Sequence, residues 1–369
     1  MWKTPASCWR PTPNRLGDIE LRVLGGIGLD VLKNMEQLSQ LCGVSGWEGP
    51  VREAILACLE DQCSCTVDAL GNVIAHKKGQ STPKNKIMLT AHMDEVGFII
   101  THVEDSGLLR FASVGGIDSR VVVGKPVEVG EQRLCGVIGT KAVHLQEEKE
   151  RGTPQKLDQL YMDIGAENKE DALAHVAPGD RAVFSAPFGR LGENKVYGRA
   201  LDDRAGCAML LELAGRELPY DCTLVFTVQE EVGCIGARAA AHSVNPDIAI
   251  VVETTTASDI AGVEPDKTVC KQGEGPVLSF MDRAAVYDRA LYRLAIETAK
   301  ERGIPCQCKA GVYGGNEAGT IQTMGDGVRV VGVSLPCRYL HSPTNVLQVE
   351  DVENTIQLLE ALVEATALV

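Results

Sequence analysis

Aromatic side chains make up only 4% of this 369-residue chain, too few to lay a stacking platform for nucleic-acid bases. Positive charge is in deficit as well. Against 50 Asp and Glu stand 36 Lys and Arg, a formal net charge of -14, and such a field repels nucleic acid and anionic lipid. No apolar run approaches the ~18 residues that cross a bilayer, so neither nucleic acid nor membrane is expected as a partner. Paired cysteine spacing is missing too. The 13 cysteines are odd in number and follow no zinc-ribbon or disulfide framework. Cys63 and Cys65, like Cys306 and Cys308, lie two apart and lack the C-x-x-C turn of redox motifs. Structural thiols in a reducing cytoplasm are therefore expected. A secretory signal is not expected either, because the one apolar stretch near the start, residues 23–29, is glycine-rich, ends at Asp30 and precedes no small-residue cleavage site.

What remains is an ordinary globular composition, 44% hydrophobic and 23% charged, in a chain longer than the ~250–300 residues at which a single core stops growing. Two domains, or one with a large insertion, are expected. Residues 1–34 hold Pro5, Pro11, Pro13 and two of the three tryptophans with no apolar period. They read as an unstructured or mis-assigned lead-in, so a chain started at Met35 should keep activity and stability. Beyond Met35, Leu38, Leu41, Val51, Ile55, Leu56 and Leu59 mark helical faces on either side of a Gly-Val-Ser-Gly turn.

Several short apolar segments then end in polar residues. KIMLTA (86–91) runs into His92, TLVFTVQ (223–229) into Glu230 and Glu231, and IAIVV (248–252) into Glu253; VRVVGVS (328–334) leads within a few residues to His341. Such β-branched runs suit strands buried on both faces. Helical patterns at 205–217, 288–302 and 349–368 alternate with them. The expected fold is α/β, a mostly parallel sheet with helices on both faces, whose ligands gather beyond the carboxyl ends of the strands. Residues 35–100 and 195–369 would form this catalytic domain. The stretch 101–194 differs, with short alternating segments broken by glycines, and reads as a small β-rich domain inserted into the first.

Two histidines and several acids thus arrive on separate segments, joined by GRALDDRAG (198–206). That is the donor inventory of a two-metal hydrolytic site, which needs a bridging carboxylate and further N or O ligands for each ion. Taken singly the pieces are bland. A lone histidine is usually a core or surface residue, Glu230-Glu231 a solvated face, and Asp202-Asp203-Arg204 a surface ion-pair cluster. GGNEAG (314–319) lacks the Lys-Ser/Thr of a phosphate-binding loop.

The motifs AHMDEVGF (91–98), GRALDDRAG (198–206), QEEVGCIGA (229–237), VVETTTASD (251–259), GGNEAG (314–319) and RYLHSP (338–343) occur in that order. Together they resemble metallopeptidase family forty-two, the dimetal aminopeptidases that include glutamyl and deblocking aminopeptidases and are often labelled endoglucanases. The resemblance covers residues 35–369. It implies a PDZ-like insert used in dimerisation, with dimers building a dodecamer in relatives, and short peptides as substrates. It implies two divalent ions, Zn or Co, held by His92, Asp202, Glu231, Glu253 and His341, with Asp202 bridging and the Asp202–Asp203 peptide in cis. Glu230 resembles the general base, and Asp94 the carboxylate that orients His92. Two departures stand out. Glu253 replaces a commoner Asp, and GGNEAG replaces a commoner Gly-Gly-Thr/Ser-Asp-Ala-Gly, so that Asn316 and Glu317 would reshape the substrate side of the cleft. Competing readings are a glycoside hydrolase, which leaves both histidines without a task, and a catalytically inactive assembly protein on the same scaffold.

Overall fold

A computed structural model gives the structure of residues 29–369. Helices α1 (Leu29–Ser39) and α2 (Gly49–Leu59) precede strands β1 (Ser64–Val67), β2 (Val73–Lys77) and β3 (Ile87–His92). An insert follows, with β4 (Gly97–Val103), β5 (Leu109–Val114), β6 (Pro126–Val129), β7 (Leu134–Gly139), α3 (Glu148–Arg151), β8 (Tyr161–Asp163), α4 (Lys169–Leu173) and β9 (Arg181–Phe184). The chain returns through β10 (Gly189–Leu191), β11 (Lys195–Gly198), α5 (Leu201–Gly215), β12 (Cys222–Thr227), α6 (Ile235–Val244) and β13 (Ile248–Thr256). It ends with β14 (Val277–Ser279), α7 (Arg289–Arg302), β15 (Gln307–Cys308), α8 (Ala318–Ile321), β16 (Arg329–Arg338), β17 (Asn345–Gln348) and α9 (Val349–Thr366).

The large sheet is mixed, which corrects the expectation of a mostly parallel one. Its centre, β12-β3-β13-β16, is parallel throughout. On one side β2 and β1 add antiparallel, and on the other β17, β11 and β10 do the same. The apolar runs identify only the centre because only the centre is covered on both faces: every residue of β3 is buried, whereas β1 is largely exposed. One face packs Leu89, Phe226 and Ile250 against Met35, Ile55, Leu210 and Leu359 of α1, α2, α5 and α9. The other packs Met88, Val225 and Val251 against Ala237 and Ala241 of α6 and Ile321 of α8. Small alanine side chains on α6 let that helix lie close to the sheet. α7 is started by Asp288, whose carboxylate accepts the N–H groups of Ala290 and Leu291, and stopped by Gly303 at φ 67°, the usual pairing of an Asp N-cap with a left-handed glycine.

The expected boundary at Met35 falls inside α1. Among the described residues the helix runs from Leu29, and Val31, 1% exposed, belongs to the same core as Met35 and Leu38. The remainder of the expected lead-in, residues 1–28, lies outside the described residues.

The insert is a closed barrel of order β4-β5-β8-β7-β6-β9. Its core is built on Phe98, which meets Phe111 and Phe184 edge-on with ring centroids 5.1 Å apart in both pairs, the arrangement favoured by the ring quadrupole. The barrel starts at Gly97, ahead of the expected 101, and its last strand is β9; β10, expected within the insert, is instead an edge of the large sheet. A small apolar seam of Cys42, Val44 and Val183, with Trp47 and Val114 against it, ties the barrel to the segment between α1 and α2.

Candidate active site

The parallel centre of the sheet aims four chain segments at one place. His92 is the last residue of β3, Glu253 lies in the C-terminal half of β13, Glu230 and Glu231 follow β12, and His341 lies in the turn after β16. Asp202 comes from the first turn of α5, where its backbone is not helical (φ -88°, ψ 102°) and its peptide bond to Asp203 is cis. His341 and Gln229 have φ of 53° and 56°, a region L-residues rarely adopt and one in which strain gathers at functional sites.

Asp202 stands between the two histidines. Its Oδ1 is 3.5 Å from His92 Nε2, and its Oδ2 is 3.3 Å from His341 Nε2. Glu253 Oε1 lies 3.5 Å from the same His92 nitrogen, and Glu231 Oε2 lies 3.4 Å from that of His341. Two groups result, His92, Asp202, Glu253 and Asp202, Glu231, His341, each with ligand atoms within 4.8 Å of one another and both sharing Asp202. Glu230 belongs to neither, and its Oε1 accepts a weak hydrogen bond from the Cys234 thiol at 3.4 Å.

Asp94 does more than face His92. The His92 Nδ1 lies 3.1 Å from the Asp94 carbonyl oxygen and 3.5 Å from its carboxylate, so the main chain is the nearer partner of the ring. The carboxylate accepts the Ser45 hydroxyl at 2.6 Å and the backbone N–H groups of Glu230 and Glu231 at 2.9 and 3.1 Å. Thr254 similarly braces the shared acid, its hydroxyl donating to Asp202 Oδ1 at 2.7 Å while its N–H donates to Glu253 Oε1 at 2.9 Å. Beneath, buried Glu95 accepts from Arg199 at 2.7 Å and from Arg204 at 3.2 Å, and both guanidiniums also donate to carbonyls at the end of α1 and just past it, at Leu38, Ser39 and Leu41. Arg199 and Arg204 are thus partners of Glu95 rather than of Asp202 or Asp203. Ser45, Thr254 and Glu95 escaped the sequence reading. Thr254 directly follows Glu253, but no spacing rule marks a bracing hydroxyl.

Within GGNEAG the first two glycines are exposed, but the two polar residues are not. Asn316 and Glu317 are 8% and 1% exposed, and Asn316 Oδ1 accepts the Ala318 N–H at 3.0 Å with the Tyr287 hydroxyl 3.2 Å away. Both are as buried as His92 and Glu253, at 2% and 8%. Asn316 holds its own loop, and Glu317 lies in the field of His92 and Glu253.

The electrostatics are those of a place short of positive charge. Burial pushes Glu230 up to about 9 and Glu231 up to about 8, and it raises Glu253 and Asp203 as well. Hydrogen bonding to Asp202 lifts His341 to about 9. Burial works against a charged His92, yet Glu253, Asp202 and Asp94 outweigh it and raise the imidazole well above its ordinary value. For Asp202 burial is likewise overcome, by His341 and His92, and its carboxyl is held far below the usual range. One Asp203 oxygen has no hydrogen-bond partner. Carboxylates crowded in this way, with imidazole nitrogens aimed between them, are the N and O donor set that a divalent cation relieves.

Comparison with known proteins gives the activity. The family model for M42 glutamyl aminopeptidase matches residues 71–358. The chain belongs to that family. As an M42 member it is a metal-dependent aminopeptidase, an exopeptidase that hydrolyses peptide bonds. It is 34% identical over 341 residues to a lysyl aminopeptidase of Pyrococcus furiosus, covering 89% of this chain and 96% of the relative. Against a glutamyl aminopeptidase of Lactococcus lactis the identity is 29% over 354 residues, covering 91% and 96%. Among solved structures, the TET1 peptidase of Pyrococcus horikoshii, which can assemble into a tetrahedron or a large octahedral shell, matches with a TM-score of 0.81 and 36% identity over 92% of this chain and 99% of that one. Among the described residues of this M42 aminopeptidase, no helix is long and apolar enough to cross a membrane.

Proposed function

We propose that this M42 aminopeptidase removes N-terminal residues from short peptides with two divalent ions, one held by His92, Asp202 and Glu253 and the other by Asp202, Glu231 and His341. The observation that carries the reading is the position of Asp202, whose two carboxylate oxygens face different histidines at 3.5 and 3.3 Å. When bound, the pair of ions supplies Lewis-acid activation of water and of the scissile carbonyl. The chain's own work is to hold and move. Asp94 fixes the His92 ring and suspends the Glu230–Glu231 turn, and Thr254 keeps Asp202 oriented between the half-sites. Glu230, beside the cluster but outside both groups, takes a proton from the attacking water on its carboxylate and delivers it to the leaving amine. Mixed imidazole and carboxylate donors suit Zn or Co.

The barrel is the surface through which copies would pair, as a PDZ-like dimerisation module. Pairing of dimers into a dodecamer would place the clefts inside a shell and limit access to unfolded peptides. The assemblies of the Pyrococcus horikoshii relative support this, and the charge of -14 per chain favours solubility of a large particle. The cysteine content suits a cytoplasmic setting.

Metal analysis of the purified protein, chelation, and assay of amino-acid amides with Zn or Co restored test the proposal. Two ions per chain and activity that returns with metal are expected. Hydrolysis of a glucan by chelated protein would favour the glycosidase reading instead, and a full metal complement with no peptidase activity the inactive scaffold. Light scattering tests assembly, for which a fully active monomer is the contrary result.

A further inference from the structure

The two half-sites differ in what encloses them. His92 and Glu253 lie in central strands, with side chains 2% and 11% exposed. His341 is carried by a turn, and its side chain is 40% exposed. That turn is fixed from its own side, where Asn345 Nδ2 and the Ser342 hydroxyl donate to the Tyr339 carbonyl at 2.8 and 2.7 Å. What bears on the outer side comes from the inserted barrel. The chain leaves β5 at Val114, which packs in the apolar seam with Val44 and Val183, and its next two residues are bare backbone against the site. A Cβ on Gly115 would stand 3.3 Å from Glu231 Cβ and 2.8 Å from Val96 Cγ1, and one on Gly116 would stand 3.5 Å from His341 Nδ1. Val96 and Phe184, at the two roots of the barrel, line the same cleft as Asp202, Glu231 and His341.

We infer that Gly115 and Gly116 are positioning residues for the Asp202–Glu231–His341 half-site, so that the barrel sets the geometry of that half-site in addition to any part in assembly. The inference rests on the two-metal reading. Its physical basis is steric. The backbone at Gly116 lies close enough to the imidazole that a methyl would just reach ordinary contact, and a longer side chain turned toward the site crowds the ring or the turn, while the exposed side of Gly116 leaves a way out to solvent. His92 and Glu253 are carried by the central strands β3 and β13, and their half-site should not respond.

Gly116 is the cleaner position to test, because Gly115 sits at φ +79° and any side chain there is strained for reasons of backbone alone. The measurements are metal stoichiometry, Zn²⁺ affinity of the chelated protein, kcat and thermal unfolding. Gly116→Ala should bind two ions like the parent. Gly116→Leu should weaken one ion by about tenfold or more, the scale on which the surroundings of metal ligands act, with kcat falling alongside and the other ion unchanged. Gly152→Leu, in the same insert with nothing within 4 Å of its Cβ position, controls for added bulk. In a His341→Ala background Gly116→Leu should have no further effect on that ion. If Gly116→Leu unfolds, Gly116→Val is read in the same way. Unchanged affinity for both ions in the folded Leu or Val variant, or equal weakening of both, overturns the inference. A parent protein that never takes up a second ion would instead overturn the two-metal reading beneath it.

Discussion

The carboxylate of Asp94 accepts the backbone N–H of Glu230 at 2.9 Å. The turn carrying Glu230 and Glu231 therefore hangs from the strand extension that carries His92, and the two halves of the cluster cannot shift independently. Asp94→Asn would put a donor where N–H groups already point. It is expected to weaken metal affinity by about 10- to 100-fold, read by competition with a chromophoric chelator. Ser45→Ala removes one of the three donors to that carboxylate and should cost less; an equal loss in both variants would contradict this ordering.

Glu230 and Glu231 are neighbours with different predicted tasks. Glu230→Gln should retain two ions and lose at least ~10²-fold in turnover, the usual scale for removal of a general base. Glu231→Gln should instead lose one ion, and atomic emission on the dialysed proteins separates the two. Equal metal loss would remove the distinction between base and ligand.

Metal uptake should release protons. In the metal-free protein Glu230 and Glu231 titrate near 9 and 8, raised by burial, and His341 near 9, raised by its hydrogen bond to Asp202. At pH 7 all three carry a proton, as does His92, raised well above its ordinary value; the histidines must lose theirs to offer a nitrogen lone pair, and Glu231 its own to become a carboxylate. Affinity should therefore fall as the pH drops through 8, and proton release should fade above 9. Calorimetry in buffers of different ionisation heat measures the number released, and uptake without release at pH 7 would be the contrary outcome.

A chain started at Met35 is expected to be destabilised relative to one started at Leu29. It lacks the first turn of α1 and with it Val31, whose full burial is worth about 1.5–3 kcal/mol, and it leaves Met35 and Leu38 on a shortened helix. Urea unfolding of the two chains should show this difference, and coincident midpoints would mean that α1 contributes little before Met35.

How much could be read from the sequence follows burial. The strands β3, β12, β13 and β16 are legible because both faces are covered, which makes each a continuous apolar run ending in His92, Glu230, Glu253 or the His341 turn. The antiparallel margins are not. β10 is three residues long and none of them is buried, so nothing in its sequence separates it from the short strands of the insert. The start of α1 is obscured by the glycines at 25, 26 and 28, although Val31, Met35 and Leu38 have helical spacing. The bracing hydroxyls of Ser45 and Thr254 and the Glu95 cluster depend on contacts between residues more than forty positions apart, for which one sequence carries no signal.

Because the six strands of the insert close on one another, little of their edge is free to take another strand, the thinnest join being β5 to β8 at the pair Leu109–Met162. Copies that meet through it would do so mainly side chain to side chain, without a long shared ladder of backbone hydrogen bonds. Contacts of that kind can be undone by changing a few surface residues while the barrel itself stays intact, so subunit arrangement is free to diverge between relatives that keep the same cleft.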